Sequence, residues 1–157
     1  MKSLFLRNLL FTLLQPGMVA GIIPYFILGN RAKNVFGQSF QYYQVAGALL
    51  FLLGFLVMIT CIISFAVNGK GTLSPVDPTK KLVTTGLYRF SRNPMYVGVM
   101  LILAGEALFF LSPDLLIYAC MVFAAFFLFI LLHEEPRLEK DFGAEYANYC
   151  KRVKRWF

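Results

Sequence analysis

Long apolar stretches alternate with short polar segments along this chain. Three of the four stretches carry no charged residue, and the third is interrupted by Glu106 alone. A helix of about 20 apolar residues is long enough to cross the roughly 30 Å hydrocarbon core of a bilayer. The pattern therefore predicts an all-α membrane protein, a bundle of about four transmembrane helices. The predicted spans are residues 9–28, 45–67, 95–111 and 115–132.

Composition supports a membrane environment. The chain has 157 residues, of which 59% are hydrophobic and only 15% charged, and such a chain cannot hide its apolar side chains in one soluble core. The net charge of +7 comes from basic residues that flank the apolar spans, so we expect membrane lipids as partners and no nucleic acid. The three cysteines have neither disulfide nor metal-ligand spacing, and we predict no metal site.

We predict a single membrane domain, residues 1–157, whose glycine and proline positions indicate where helices pack closely and where one bends. Gly47 and Gly54 lie seven residues apart, as do Gly98 and Gly105, so each pair shares a helix face that another helix could approach closely, within one chain or between two. We expect a bent first span. Its breakers are Pro16, Gly17, Gly21 and Pro24.

Two connections carry clear turn signals. The segment Ser112-Pro113-Asp114 has a helix cap, a first-turn proline and a first-turn acid, which predicts a tight hairpin between spans three and four. Residues 68–94 are rich in glycine and proline and form a long loop. Since long loops in compact proteins tend to be either functional or disordered, this loop is a candidate functional segment.

The carboxyl-terminal segment has helical periodicity. Apolar side chains recur every three or four residues over 134–155, which predicts an amphipathic helix on the cytosolic membrane surface. The basic residues at its end suit anionic headgroups, with Trp156 as an interfacial anchor. The apolar positions are Leu138, Phe142, Tyr146, Tyr149 and Val153, and the basic ones Lys151, Arg152, Lys154 and Arg155.

Charge distribution predicts the orientation. With four spans, thirteen of the fifteen Lys and Arg residues lie on the side that holds both termini and the 68–94 loop. The positive-inside rule then places both termini in the cytosol. We expect a multi-pass protein of the cytoplasmic membrane of a prokaryote, with the loop and the tail on one face.

Polar chemistry is concentrated in residues 86–98, GLYRFSRNPMYVG. Pro94 suits the first turn of a helix, so Asn93 is the expected N-cap. Arg89, Arg92 and the exposed helix N–H groups would favour an anion there. The alternative is an ordinary basic flank with a good cap.

Two adjacent acids, Glu134 and Glu135, follow the fourth span directly. Acids beside a lipid-facing helix are costly unless a positive group meets them. Arg89 and Arg92 are the expected partners, and a cationic ligand is the other. A solvated helix start is the structural alternative.

The order LVTTGLYRFSRNPMYVG, an apolar hairpin, then EEPRLEKDFGAEYANYCKRVKRW resembles the isoprenylcysteine carboxyl methyltransferase and phospholipid N-methyltransferase superfamily over residues 80–157. The resemblance implies S-adenosylmethionine between an Arg-His-Pro-x-Tyr motif and a Glu-Glu motif, with a lipid-borne acceptor. It also implies that the 68–94 loop is a cytosolic cofactor loop. Asn93 replaces the usual histidine, which makes a prenylcysteine acceptor less expected. The matching residues are Arg92, Pro94, Tyr96, Glu134 and Glu135.

This cofactor carries a cation, a carboxylate and an adenine. Glu134 or Glu135 could take the ammonium, and Arg92 with Asn93 and the helix N–H groups could take the carboxylate. The adenine could be walled by Leu82, Val83, Tyr88 and Tyr96. We expect Arg92 and Glu135 to be catalytic, with Glu135 receiving a proton if the acceptor is an ammonium. The expected cofactor-binding residues are Leu82, Val83, Gly86, Tyr88, Arg92, Asn93, Pro94, Tyr96, Glu134 and Glu135.

The predicted function is methyl transfer from S-adenosylmethionine to a lipid-like or small hydrophobic carboxylate, amine or thiol. Two alternatives stay open. One is a small four-span proton-coupled transporter using Glu106, and the other is a non-enzymatic membrane partner protein. His133, beside the two glutamates, has no second histidine for a metal and is expected at a cap or an interface.

Overall fold

The computed structural model describes residues 16–29, 41–64, 67 and 81–156. In these parts of the chain the regular structure is helical, with no strand. Short helical turns join the longer helices, a 3₁₀ turn at Gly86–Arg89 and a π-helical turn at Ile130–Glu134. The helices are α1 (Met18–Leu28), α2 (Tyr42–Ser64), α3 (Pro94–Phe109), α4 (Pro113–Phe129) and α5 (Glu135–Arg152).

The described helices coincide with the apolar stretches. The predicted span 45–67 is α2, 95–111 is α3, and 115–132 is α4 with the π-helical turn that follows it. The predicted helix over 134–155 is α5. Part of the span 9–28 and the first part of the 68–94 loop lie outside the described residues. The all-helical class is therefore confirmed.

Two described helices are long and apolar enough to cross a membrane. These are α2 and the continuous helix Pro113–Arg152, whereas α1 and α3 are shorter. Only 17% of the most apolar window of α2 is buried, and 22% of that in the longer helix. Their apolar side chains thus face outward, as lipid-facing side chains do. The count of four spans stays a prediction.

The closest helix contact joins α2 to α3 through their glycines. A Cβ on Gly54 would lie 2.6 Å from the carbonyl oxygen of Gly98, and one on Gly47 would lie 2.7 Å from that of Gly105. Both distances are shorter than real Cβ contacts, so only glycine fits. The two predicted glycine faces therefore pack against each other within this chain.

The hairpin between α3 and α4 forms as predicted. The Ser112 hydroxyl accepts from the backbone N–H of Leu115 at 3.4 Å, and Pro113 is the first helical residue. Asp114 lies in the first turn, where its charge suits the helix dipole. This cap reverses the chain and sets α4 beside α3.

Prolines coincide with wider helical turns in α1 and before α5. The π-helical turn Met18–Ile22 leaves the Val19 carbonyl opposite Pro24, which has no N–H to donate. The Tyr118 hydroxyl of α4 donates to that carbonyl instead, at 2.9 Å. The freed carbonyl in the first helix is thus satisfied by a neighbouring helix. Pro136 follows the second π-helical turn in the same way.

The apolar face of α5 is buried within the protein. Tyr146, Tyr149 and Val153 form a buried cluster, and Leu138 and Leu82 pack against it. Gly143, at φ +48°, interrupts the helix. The apolar side chains of α5 thus pack on the segment that precedes α3, and the position of this helix on a membrane surface stays a prediction.

Candidate active site

The segment before α3 and the tail after α5 pair along their backbones. The N–H of Arg92 donates to the Lys154 carbonyl at 3.0 Å. The Arg155 carbonyl accepts from the Ser91 hydroxyl at 3.2 Å and from the Asn93 amide at 3.1 Å. The central stretch and the tail thus lie side by side, as the sequence predicts.

Glu135 lies between two arginines. Its carboxylate is 3.1 Å from Nη1 of Arg92 and accepts two hydrogen bonds from Arg155, at 2.9 and 2.8 Å. Arg92 was the expected partner. Arg89 is exposed, and Arg155 takes the second place. Arg155, which was expected from the sequence to meet anionic headgroups, binds Glu135 through its guanidinium and lies 5.7 Å over the Phe127 ring.

All the polar side-chain contacts found for Arg92 among the described residues are made by its Nη1 nitrogen. Nη1 donates to the Tyr146 hydroxyl at 3.3 Å and to Sγ of Cys150 at 2.8 Å, besides its pairing with Glu135. Its Nε is buried without a hydrogen-bond partner among the described residues.

Glu134 has a different environment from its neighbour. Its Oε2 accepts from the Tyr96 hydroxyl at 2.6 Å, and no salt bridge to it is found within the part of the chain that the structure describes. Burial raises the pKa of Glu134, an effect that its hydrogen bond from Tyr96 and the nearby Arg137 oppose. Tyr96 is itself packed edge-on against Phe126 at 4.7 Å.

The expected adenine walls divide between two clusters. Val83 and Tyr88 are buried with Cys61 of α2, whereas Leu82 packs against α5. The Tyr88 carbonyl accepts from the Tyr149 hydroxyl at 2.6 Å, which ties the two clusters together. These side chains pack inside the protein beside the site, and most of their surface is buried.

Three predicted residues have structural positions, two at the start of α3 and one at the start of the 3₁₀ turn. Asn93 is the N-cap residue, as predicted, but its side chain makes no cap bond; its Nδ2–H donates to the Arg155 carbonyl. Pro94 is buried in the first turn, as predicted, and Gly86 begins the 3₁₀ turn at φ +64°, a conformation that favours glycine.

Sequence reasoning missed four residues of this site: Arg137, Tyr146, Cys150 and Arg155. A weak signal existed, because Tyr146 and Cys150 are four residues apart and so share a face of α5. Arg155 had no such signal, since it follows the helix in an extended segment.

Three further side chains lie outside this cluster. Glu106, near the far end of α3, has a buried Oε2 without a hydrogen-bond partner among the described residues. His133 is exposed and stacks on Phe129 at 5.6 Å. Trp156 packs on Phe123 at 5.3 Å and helps to line an apolar groove of about 450 Å³ between α3 and α4.

Comparison with known proteins agrees with the resemblance. Protein-S-isoprenylcysteine O-methyltransferase of Saccharomyces cerevisiae is 35% identical over 114 residues, which cover 69% of this chain and 46% of the yeast protein. Protein-S-isoprenylcysteine O-methyltransferase B of Arabidopsis thaliana is 34% identical over 73 residues, 46% of this chain and 37% of the plant protein. The chain thus spans less than half the length of these relatives.

No solved structure matches the chain. A family-wide sequence profile of phospholipid methyltransferases matches residues 42–145, which reach from α2 into α5 and include Arg92, Glu134 and Glu135. Because that match covers well over half of the sequence, the chain belongs to the phospholipid methyltransferase family.

Proposed function

We propose that this protein is an integral-membrane methyltransferase that uses S-adenosylmethionine and methylates a lipid-like or small hydrophobic acceptor. Family membership supports the reaction class, and its relatives are named as O-methyltransferases of isoprenylcysteine. The observation that carries the proposal is that two adjacent acids meet the start of α3: Glu134 accepts from the Tyr96 hydroxyl, and Glu135 pairs with Arg92.

The side chains fit the charges of the cofactor. The Glu134 carboxylate has one hydrogen-bond donor, Tyr96, among the described residues and retains acceptor capacity for an ammonium. The unpartnered Nε of Arg92 is a donor for an anionic group. Both groups are partly buried, where electrostatic attraction is stronger than in water.

The geometry revises the roles expected for the two acids. Both oxygens of Glu135 already accept from Arg155, and one of them also meets Arg92, so we assign Glu135 to positioning Arg92 and the tail. Glu134 then binds the ammonium.

When bound, S-adenosylmethionine supplies an electrophilic methyl group on its sulfonium. The chain's own contribution is to orient the two reactants, and orientation alone can lower a barrier by roughly 7 to 11 kcal/mol. Asn93 and Ser91 hold the tail against the start of α3 and thereby close one side of the site. The walls of the proposed cofactor site are formed by Leu82, Val83, Gly86, Tyr88 and Pro94.

The acceptor is proposed to enter from the bilayer. The apolar groove between α3 and α4 opens beside Trp156 and is lined by almost no polar surface. Its lining residues are Val97, Met100, Leu101, Ala104, Phe123 and Trp156. We further propose a single domain with four spans, both termini in the cytosol, in the cytoplasmic membrane of a prokaryote.

Calorimetric binding of S-adenosylmethionine and S-adenosylhomocysteine to the detergent-purified protein tests the function. We expect binding that is lost in Glu134→Gln and weakened in Arg92→Ala, because Arg92 links Glu135 to Tyr146 and Cys150 of α5. Glu139→Gln is the matched control, because Glu139 is an exposed acid on α5, one turn beyond Glu135. It should bind as wild type does.

Absence of binding by well-folded wild type would contradict the methyltransferase proposal. Proton transport that depends on Glu106 would then favour the transporter alternative. If neither binding nor transport is found, the protein is a non-enzymatic membrane partner.

A further inference from the structure

Arg137 is a partly buried arginine that the proposed mechanism does not use. It lies in the first turns of α5, and its Nε is buried without a hydrogen-bond partner among the described residues. No salt bridge to it is found in the same part of the chain. A buried N–H that makes no hydrogen bond is costly, so a missing ligand is a physical explanation for its position.

Arg137 and Glu134 lie close to each other without forming an ion pair. They are three residues apart, which places them on the same side of the helix. Each acts electrostatically on its surroundings, and the charge of Arg137 opposes the effect of burial on the pKa of Glu134. The shortest contact of Glu134 is nevertheless with the Tyr96 hydroxyl, at 2.6 Å. The Glu134 carboxylate can thus accept further hydrogen bonds, and the Nε–H of the neighbouring Arg137 can donate one.

This arrangement is complementary to a zwitterion. An α-amino acid carries an ammonium and a carboxylate on one carbon atom. A site for it therefore needs an anionic and a cationic side chain a few ångströms apart. Arg92 is less suited to the carboxylate, since its Nη1 is already engaged by Glu135, Tyr146 and Cys150. The Asn93 amide is engaged as well, by the Arg155 carbonyl.

We propose that Glu134 and Arg137 together bind the amino-acid end of S-adenosylmethionine, with Glu134 accepting from the ammonium and the Nε–H of Arg137 donating to the carboxylate. This inference rests on the proposed function and adds Arg137 to its binding residues. It leaves the Nε–H of Arg92 for an anionic group of the acceptor.

Two ligands that differ by one carboxylate test the inference. S-adenosylhomocysteine has the complete amino acid, and its decarboxylated analogue retains the amine alone. We expect wild type to bind the complete ligand about ten- to hundredfold more tightly, the range for a hydrogen bond to a charged group. Arg137→Gln should lose that preference to within about twofold and bind the analogue as wild type does.

Two further variants separate binding from folding. Arg137→Lys retains the charge without the planar donor set and should retain part of the preference. Lys140→Gln removes an exposed charge one turn further along α5 and should change neither affinity. Melting temperature and size-exclusion elution establish that each variant is folded.

The outcomes are distinct. Equal weakening of both ligands in Arg137→Gln would indicate a structural role and overturn the inference. Unchanged binding of S-adenosylhomocysteine, with weakened binding of n-dodecyl phosphate, would assign Arg137 to an acceptor oxyanion and also overturn it. If wild type binds neither adenosyl ligand, the proposed function fails and the inference fails with it.

Discussion

The contact between α2 and α3 allows a quantitative test, because a single methyl group has no room there. In Gly54→Ala the added Cβ would lie 2.6 Å from the Gly98 carbonyl oxygen and 2.8 Å from the Ile102 backbone nitrogen. Ordinary van der Waals contact begins at 3.4 Å, so the two backbones would have to separate by about 0.8 Å at this point. Backbone atoms cannot rotate away as a side chain can. The substitution must therefore move a helix.

Overpacking of this kind costs about 1 to 3 kcal/mol, whereas alanine gains only about 0.5 to 1 kcal/mol over glycine inside a helix. We therefore expect Gly54→Ala to lose up to about 2.5 kcal/mol of unfolding free energy, or up to about 10 °C in melting temperature. Gly21→Ala is the matched control, since nothing lies within 4 Å of its Cβ and it should be neutral or stabilising.

Maleimide labelling of Cys61 during a thermal ramp in detergent measures this effect. Cys61 is 0% exposed and packs beside Val83 and Tyr88, so it reacts only when α2 separates from the segment that precedes α3. Replacing Cys120 and Cys150 by serine in both backgrounds isolates its signal. A Gly54→Ala protein that melts at or above the wild-type temperature would refute the close-packing argument.

Three other predictions concern the site itself. Arg155→Gln removes both hydrogen bonds to Glu135, so hydrogen exchange at the Arg92 amide, which bonds to the tail, should accelerate about tenfold or more, unlike in Arg152→Gln; an unchanged rate would show that the tail is held without Arg155. Tyr96→Phe removes the donor to Glu134 and should cost about 1 to 3 kcal/mol in thermal unfolding, and an unaltered midpoint would contradict this. Burial raises the pKa of Glu134, so the folded, ligand-free protein binds this proton more tightly than the unfolded chain does. The resulting stabilisation is complete below the ordinary carboxyl pKa and is lost as pH rises through the raised pKa. Glu134→Gln should therefore have a melting temperature that depends less on pH, and an equal pH dependence in both proteins would refute this prediction.

Much of the fold could be predicted because the positions and faces of apolar helices follow from residues that are close together in the sequence. The glycine pairs of α2 and α3 share faces by spacing alone, and Ser112-Pro113 marks a helix start by its own chemistry. The partners across space could not be read in this way. Nothing in the spacing says that the Asn93 amide bonds to the Arg155 carbonyl, because that contact joins residues 62 positions apart.

The same limit explains why the two acids were interchangeable in sequence and are not in the structure. Glu134 and Glu135 are adjacent, yet the π-helical turn ends between them, so each points to a different set of partners. Glu135 meets Arg92 and Arg155, while Glu134 meets Tyr96 and lies near Arg137. A carboxylate that already holds two guanidinium groups is a structural link, whereas one with a single neutral donor can still bind a cation. We therefore expect Glu135→Gln to loosen the tail first and ligand binding second, and Glu134→Gln to abolish ligand binding while the Arg92 amide stays protected from hydrogen exchange; the reverse pattern would exchange the roles of the two acids.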